Sequence, residues 1–150
     1  EEYQYTINSN IFDFIQLPTN VIDLSFCKRI MNNYPNKRIV ARSILCKGIL
    51  ANWTLFTKLV KDSDNLQSRY NFIDKLANEI NMSVQEFSIA SIFSLDKFDQ
   101  YIFGSTSIEN VKSFIKYSHT KIQYKTLKKL IQHNSQPNYM TNPKNWEIYE

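Results

Sequence analysis

The sequence predicts an all-α, or nearly all-α, fold: a compact single domain of six to eight helices. Three observations carry that reading. Only two glycines occur in 150 residues, and turns are marked instead by Asn, Ser and Pro. Leu66, Tyr70, Ile73, Ala77 and Ile80 recur at i, i+4, i+7, i+11 and i+14, which sets them on one helical face. Three capping boxes, Ser83 with Glu86, Thr106 with Glu109 and Thr120 with Gln123, announce successive helix starts.

Residues 1–18, which open "EEYQYTINSNIFDFIQL", carry β-type residues in partial alternation and read as a short N-terminal strand or an extended arm. Residues 19–133 read as the helical domain. A first helix follows Pro18-Thr19-Asn20 over about 21–33, ended by Asn33-Tyr34-Pro35 because the residue before proline avoids helical backbone. Asn36 caps a second helix to about Lys47, closed by Gly48. Residues 50–61, "LANWTLFTKLVK", are apolar nearly all round and predict a central buried helix bearing Trp53 and Phe56. The face of residues 66–80 packs against it. Helices then follow over 65–80, 83–93, 94–103, 106–117 and 120–133. The tail, 134–150, ends in a short helical turn capped at Asn142-Pro143.

Composition excludes several classes. Hydrophobic residues at 43% and charged residues at 21% are those of a folded globular chain. No run approaches the ~18 apolar residues of a membrane span, so no membrane partner is expected. Cys27 and Cys46 lack a partner spacing and read as reduced thiols of an intracellular protein, cytoplasmic or nuclear. Two glycines leave no phosphate-cradling loop. His119 and His133 form no metal-spaced pair with each other or with the cysteines. No catalytic, cofactor-binding or metal-ligating residue is therefore assigned, and the chain reads as non-enzymatic.

Charge is striped along the chain. Residues 28–61 hold eight bases and no acids, residues 62–104 seven acids against three bases, and residues 105–150 seven lysines against three acids. Lys37, Arg38, Arg42, Lys112, Lys116, Lys121, Lys125, Lys128 and Lys129 are the candidate basic surface. On the last helix Lys121, Lys125, Lys128, Lys129 and Gln132 fall within an arc of about 100°, with Tyr124, Leu127, Leu130 and Ile131 opposite.

The stretch "LANEINMSVQEFSIA", residues 76–90, has the cadence of two helices around a tight turn. Leu76 and Ala77 suit the crossing, Asn81 suits a left-handed turn, Ser83 caps the second helix, and Phe87 and Ala90 point inward. Over about twenty residues this resembles the helix-turn-helix family pattern, within a hairpin at about 65–93. The resemblance implies DNA reading by Val84, Gln85, Glu86, Ser88 and Ile89. That helix has no base, however, and Glu86 would face a polyanion with the wrong sign. The favoured expectation is an interaction module, a protein-binding part of a nucleic-acid-associated assembly with basic segments 28–61 and 112–129. Its partner is another protein, and nucleic acid can also engage the basic helices. Direct DNA or RNA binding of helix-turn-helix type and a small helical enzyme with an unrecognised site are the alternatives.

Overall fold

The computed structural model describes residues 9, 11–30 and 37–149. Among them the protein is a mixed α/β fold, and the all-α expectation is overturned by a three-stranded parallel sheet. Strand β1 is Phe14–Pro18, β2 is Arg38–Arg42 and β3 is Gln100–Tyr101. They lie in the order β1-β2-β3, with Phe14 opposite Arg38, Pro18 opposite Arg42, and Val40 opposite Gln100. Six α-helices accompany them: α1 (Ser25–Ile30), α2 (Trp53–Leu59), α3 (Gln67–Asn78), α4 (Val84–Ser94), α5 (Ile108–Ser118) and α6 (Tyr124–Asn134).

Within the strand or extended arm expected over residues 1–18, Phe14–Pro18 forms β1, with Ile15 and Leu17 buried and Phe14, Gln16 and Pro18 exposed, while residues 1–8 and 10 lie outside the described residues. Two predicted helices are strands instead. The segment 36–47 contains β2, whose Ile39, Val40 and Ala41 are all buried. A parallel strand covered on both faces is a continuous apolar run, and periodicity cannot separate that from a buried helix. Its β-branched Ile39 and Val40 favour the extended form. The segment 94–103 supplies β3, fixed by pairing to β2 and by Asp99, whose carboxylate accepts from Ile39 N at 2.7 Å.

Three of the remaining helices start at side-chain caps, whereas the start expected at Thr120 falls instead at Tyr124. Ser83 and Glu86 make the full reciprocal capping box at the head of α4. Asn52 caps α2 and Ser107, one residue past the predicted Thr106, caps α5. Gln123 stands at the head of α6 without a side-chain capping bond. Residues 31–36, including the predicted stop at Asn33-Tyr34-Pro35 and the cap at Asn36, lie outside the described residues.

The core sits between the helices and one end of the sheet. Leu66, Ile73, Leu76 and Ala77 of the predicted face are buried, and Tyr70 stacks on Trp53 with ring centroids 4.2 Å apart. Ile80 is 40% exposed, because α3 ends at Asn78 and the turn carries Ile80 outward. Helix α2 is not buried all round either: Leu55 and Leu59 are exposed while Phe56 is buried. Helix α4 is the central one, with Phe87, Ser88, Ile89, Ala90 and Ile92 without exposed surface. A fully buried Asn134 ties α6 to the β1–α1 connection by donating to Val21 O at 2.7 Å.

Candidate functional site

The carboxyl ends of β1 and β2 open into a crevice of about 530 Å³, and its walls come from three parts of the chain. One wall is the end of β1 and the connection into α1, with Pro18, Asn20, Asp23 and Ser25. The second is the end of β2 and the turn after it, with Arg42, Ser43, Cys46 and Lys47. The third is the C-terminal segment, with Thr141, Asn142, Pro143 and Lys144. Parallel topology makes the first two neighbours. Pro18 and Arg42 are register partners, and Thr19 N donates to Arg42 O at 2.8 Å. Both connections therefore leave the sheet at the same edge.

The second wall is conformationally unusual. Ser43, Cys46 and Lys47 take φ values of 58°, 47° and 56°, and Gly48 follows at 94°. Only Gly48 occupies left-handed backbone without penalty. Three such residues within five positions are held there by surrounding bonds, among them Cys46 N to Ser43 O at 2.8 Å and Gly48 N to Leu45 O at 2.9 Å.

The electrostatics are lopsided. Arg42, Lys47 and Lys144 bring three cations, and Asp23 is the single carboxylate among the lining residues. Its oxygens are already engaged: Oδ1 accepts from Ser25 N at 2.9 Å and Oδ2 from Asn138 N at 3.2 Å, while Thr141 Oγ1, which also donates to Asn138 O at 2.6 Å, lies 3.2 Å from Oδ2. Arg42 donates from one guanidinium nitrogen to Ser43 Oγ at 3.2 Å, the one hydrogen bond of its side chain among the described residues. Burial first, then the nearby Asp23 charge, push the Cys46 thiol up to about 12, which favours its protonated form. Cys27 is raised to about 12 by the same two causes.

Of the basic residues singled out in the sequence, Arg42 alone lines this crevice. Lys37 donates to the carbonyls of Ser9 and Phe12, and Arg38 lies over the Phe14 ring, 5.3 Å from its centroid. Lys112, Lys116, Lys121, Lys125, Lys128 and Lys129 are exposed on α5, α6 and the connection between them. On α6 the packed side is Leu127 and Leu130, and Tyr124 is 78% exposed beside the lysines rather than opposite them.

The hairpin face is placed otherwise. Val84, Ser88 and Ile89 are buried, Gln85 and Glu86 are half-buried, and the Glu86 carboxylate is occupied with Ser83 N at 2.9 Å. Burial raises the Glu86 carboxyl, but bonds from Tyr117 and Ser83 outweigh it and set the pKa below its ordinary value.

Asp23, Ser43 and Lys144 escaped the sequence reading as site residues, and Lys47 entered it only as one base of the segment 28–61. The available signal was an apolar run, Ile39-Val40-Ala41, ending in Arg42-Ser43, which as a strand would have pointed at its own carboxyl end. Among the described residues no three of His, Cys, Asp and Glu converge to hold a metal, and no helix is long and apolar enough to cross a membrane. Comparison with protein-family models gave no match, and comparison with curated proteins gave no relative.

Proposed function

We propose that the chain binds a small phosphate- or carboxylate-bearing molecule in the crevice at the carboxyl ends of β1 and β2. The observation that carries this reading is the set of three cations around a concave site whose single carboxylate is satisfied by the protein itself. Three further facts support it. Ligands of parallel α/β sheets bind outside the carboxyl ends of the strands. The volume, about 530 Å³, lies in the range of small-molecule sites. Strained backbone concentrates where a ligand is held, and the Ser43–Cys46–Lys47 turn forms one wall.

Titration calorimetry with pyrophosphate tests the reading. Saturable binding that weakens with salt is expected, because the attraction is ionic. Arg42→Gln should weaken it roughly tenfold, the worth of one charge-assisted hydrogen bond. Absence of saturable binding by any of pyrophosphate, nucleotides and di- or tricarboxylates overturns it.

A second reading, the interaction module with a basic face, is supported by a separate observation. Lys121, Lys125, Lys128 and Lys129 are all exposed, while Leu127 and Leu130 seal the other side of α6 into the core. That side is closed to a membrane or a partner helix, so the partner chemistry it suits is a polyanion.

A further inference from the structure

The third wall of the crevice belongs to a C-terminal strap tied down at several places, among them Arg69 to Gln136 O at 2.8 Å and Asn138 Nδ2 to Asn65 O at 3.3 Å. At one end Asn138 N donates to Asp23 Oδ2 at 3.2 Å, and Thr141 Oγ1 lies 3.2 Å from the same oxygen, its one proton shared with Asn138 O at 2.6 Å. At the other, Lys61 N donates to Glu147 O at 2.7 Å and Tyr149 N to Leu59 O at 2.9 Å. Between them Met140 is buried, and Trp146 donates from its ring nitrogen to Met140 O at 2.8 Å while standing edge-on to Phe56. Lys144 sits in this span, its backbone N–H held by Asn142 Oδ1 at 3.1 Å.

We propose that Asp23 is a positioning residue for the anion site: it latches the strap so that Lys144 faces Arg42 and Lys47 across the crevice. The inference rests on the ligand-binding reading above and adds the device that completes the site. Asp23 is well placed for the role. Its Oδ1 is anchored to Ser25 N at 2.9 Å at the start of α1, so the carboxylate is fixed to the sheet side while its other oxygen holds the strap. A ligand touching Lys144 contacts only the docked strap, so ligand binding and docking favour each other by the same factor.

The sign of one substitution separates this from simple electrostatics. Neutralising a carboxylate beside a cationic site should tighten an anion if charge alone matters. If Asp23 acts by positioning Lys144, Asp23→Asn should weaken it, because the new amide can satisfy only one of its two sides as acceptor. The test is a double-mutant cycle read as pyrophosphate affinity. Asp23→Asn and Lys144→Gln should each weaken binding roughly tenfold, and the double variant should be no weaker than either alone. Hydrogen exchange of residues 138–144 should speed up in Asp23→Asn without ligand. Thr141→Val, which leaves every charge in place, should weaken binding severalfold and carries the test if Asp23→Asn does not fold.

Tighter or unchanged binding in Asp23→Asn or Thr141→Val, or additive losses in the cycle, overturns the latch. Because Arg42 lies on β2 and not on the strap, Arg42→Gln should weaken binding in either case. Binding lost in Arg42→Gln but kept in the Asp23 and Thr141 variants sinks the latch alone. No saturable binding by the wild type sinks the site and the latch together.

Discussion

Two of the turns that use left-handed backbone differ in how the sequence supports it. The turn between α3 and α4 places one residue there, Asn81 at φ 56°, a type that tolerates the conformation. Every neighbour agrees with it: Ile80 N and Met82 N both return to Ala77 O, and the Ser83–Glu86 box starts the next helix. The turn after β2 places Ser43, Cys46 and Lys47 there as well as Gly48, and three of the four are poorly suited to it. Local agreement serves stability; local disagreement, kept up by the surrounding fold, is one of the observations behind the proposed site.

Substitutions can break or sharpen this contrast. The largest effect should come from the hairpin. Phe87 has no exposed surface, and Phe87→Ala should cost about 3–5 kcal/mol in denaturant unfolding. Ile73→Ala, also fully buried, should cost about 2–5 kcal/mol. Ser83→Ala removes the N-cap of α4 and should cost about 1 kcal/mol. A wild-type unfolding midpoint in Phe87→Ala would dissolve the contrast from the hairpin side.

The β2 turn should respond with the opposite sign. Lys47→Gly relieves left-handed strain and should raise stability by up to about 1 kcal/mol while weakening pyrophosphate binding. Asn81→Gly should change stability by no more than a few tenths. If Lys47→Gly destabilises the fold, the strain argument for the second wall fails.

Smaller effects probe charge. Changing Lys121, Lys125, Lys128 and Lys129 together to Gln should leave the melting temperature nearly unchanged. If that face holds a polyanion, the log–log salt slope for DNA binding should flatten by about 3 to 4 units, and an unaltered slope removes the second reading. The Glu86 carboxyl is lowered in the folded state from an ordinary 4.5. The stability it contributes is complete above that value and is lost as pH falls through the lower folded one. Glu86→Gln should therefore flatten that acid limb of the melting-temperature profile, a small change because the group is largely solvated.

The start of α4 was legible in the sequence because capping is local: Ser83 and Glu86 see each other across three residues whatever the rest of the chain does. The start expected at Thr120 was not, since α6 begins at Tyr124 with no side-chain cap. The α3 face was legible down to Leu76 and Ala77, and failed at Ile80 because the helix ended first. The sheet was legible only at β1, whose alternation reports one covered face. Strand β2 is covered on both faces, so Ile39-Val40-Ala41 carried no period to read, and β3 is too short to carry one. The crevice was illegible for a related reason. It exists only where β1, β2 and the C-terminal strap meet, and residues as far apart as Asp23 and Thr141 have no local pattern in common. Arg42 was noticed for its charge and not for its place at the end of a strand.

The 118 residues between those two ends of the latch also set an order of assembly. Contacts of long sequence separation bear the loop-closure entropy and form late, whereas the α3–α4 hairpin closes on its neighbours. Refolding followed by a helical signal should run ahead of refolding followed by recovery of pyrophosphate binding. During synthesis the order is stricter still: the six helices are made before residues 138–144, which bring Met140 into the core and close the third wall of the crevice.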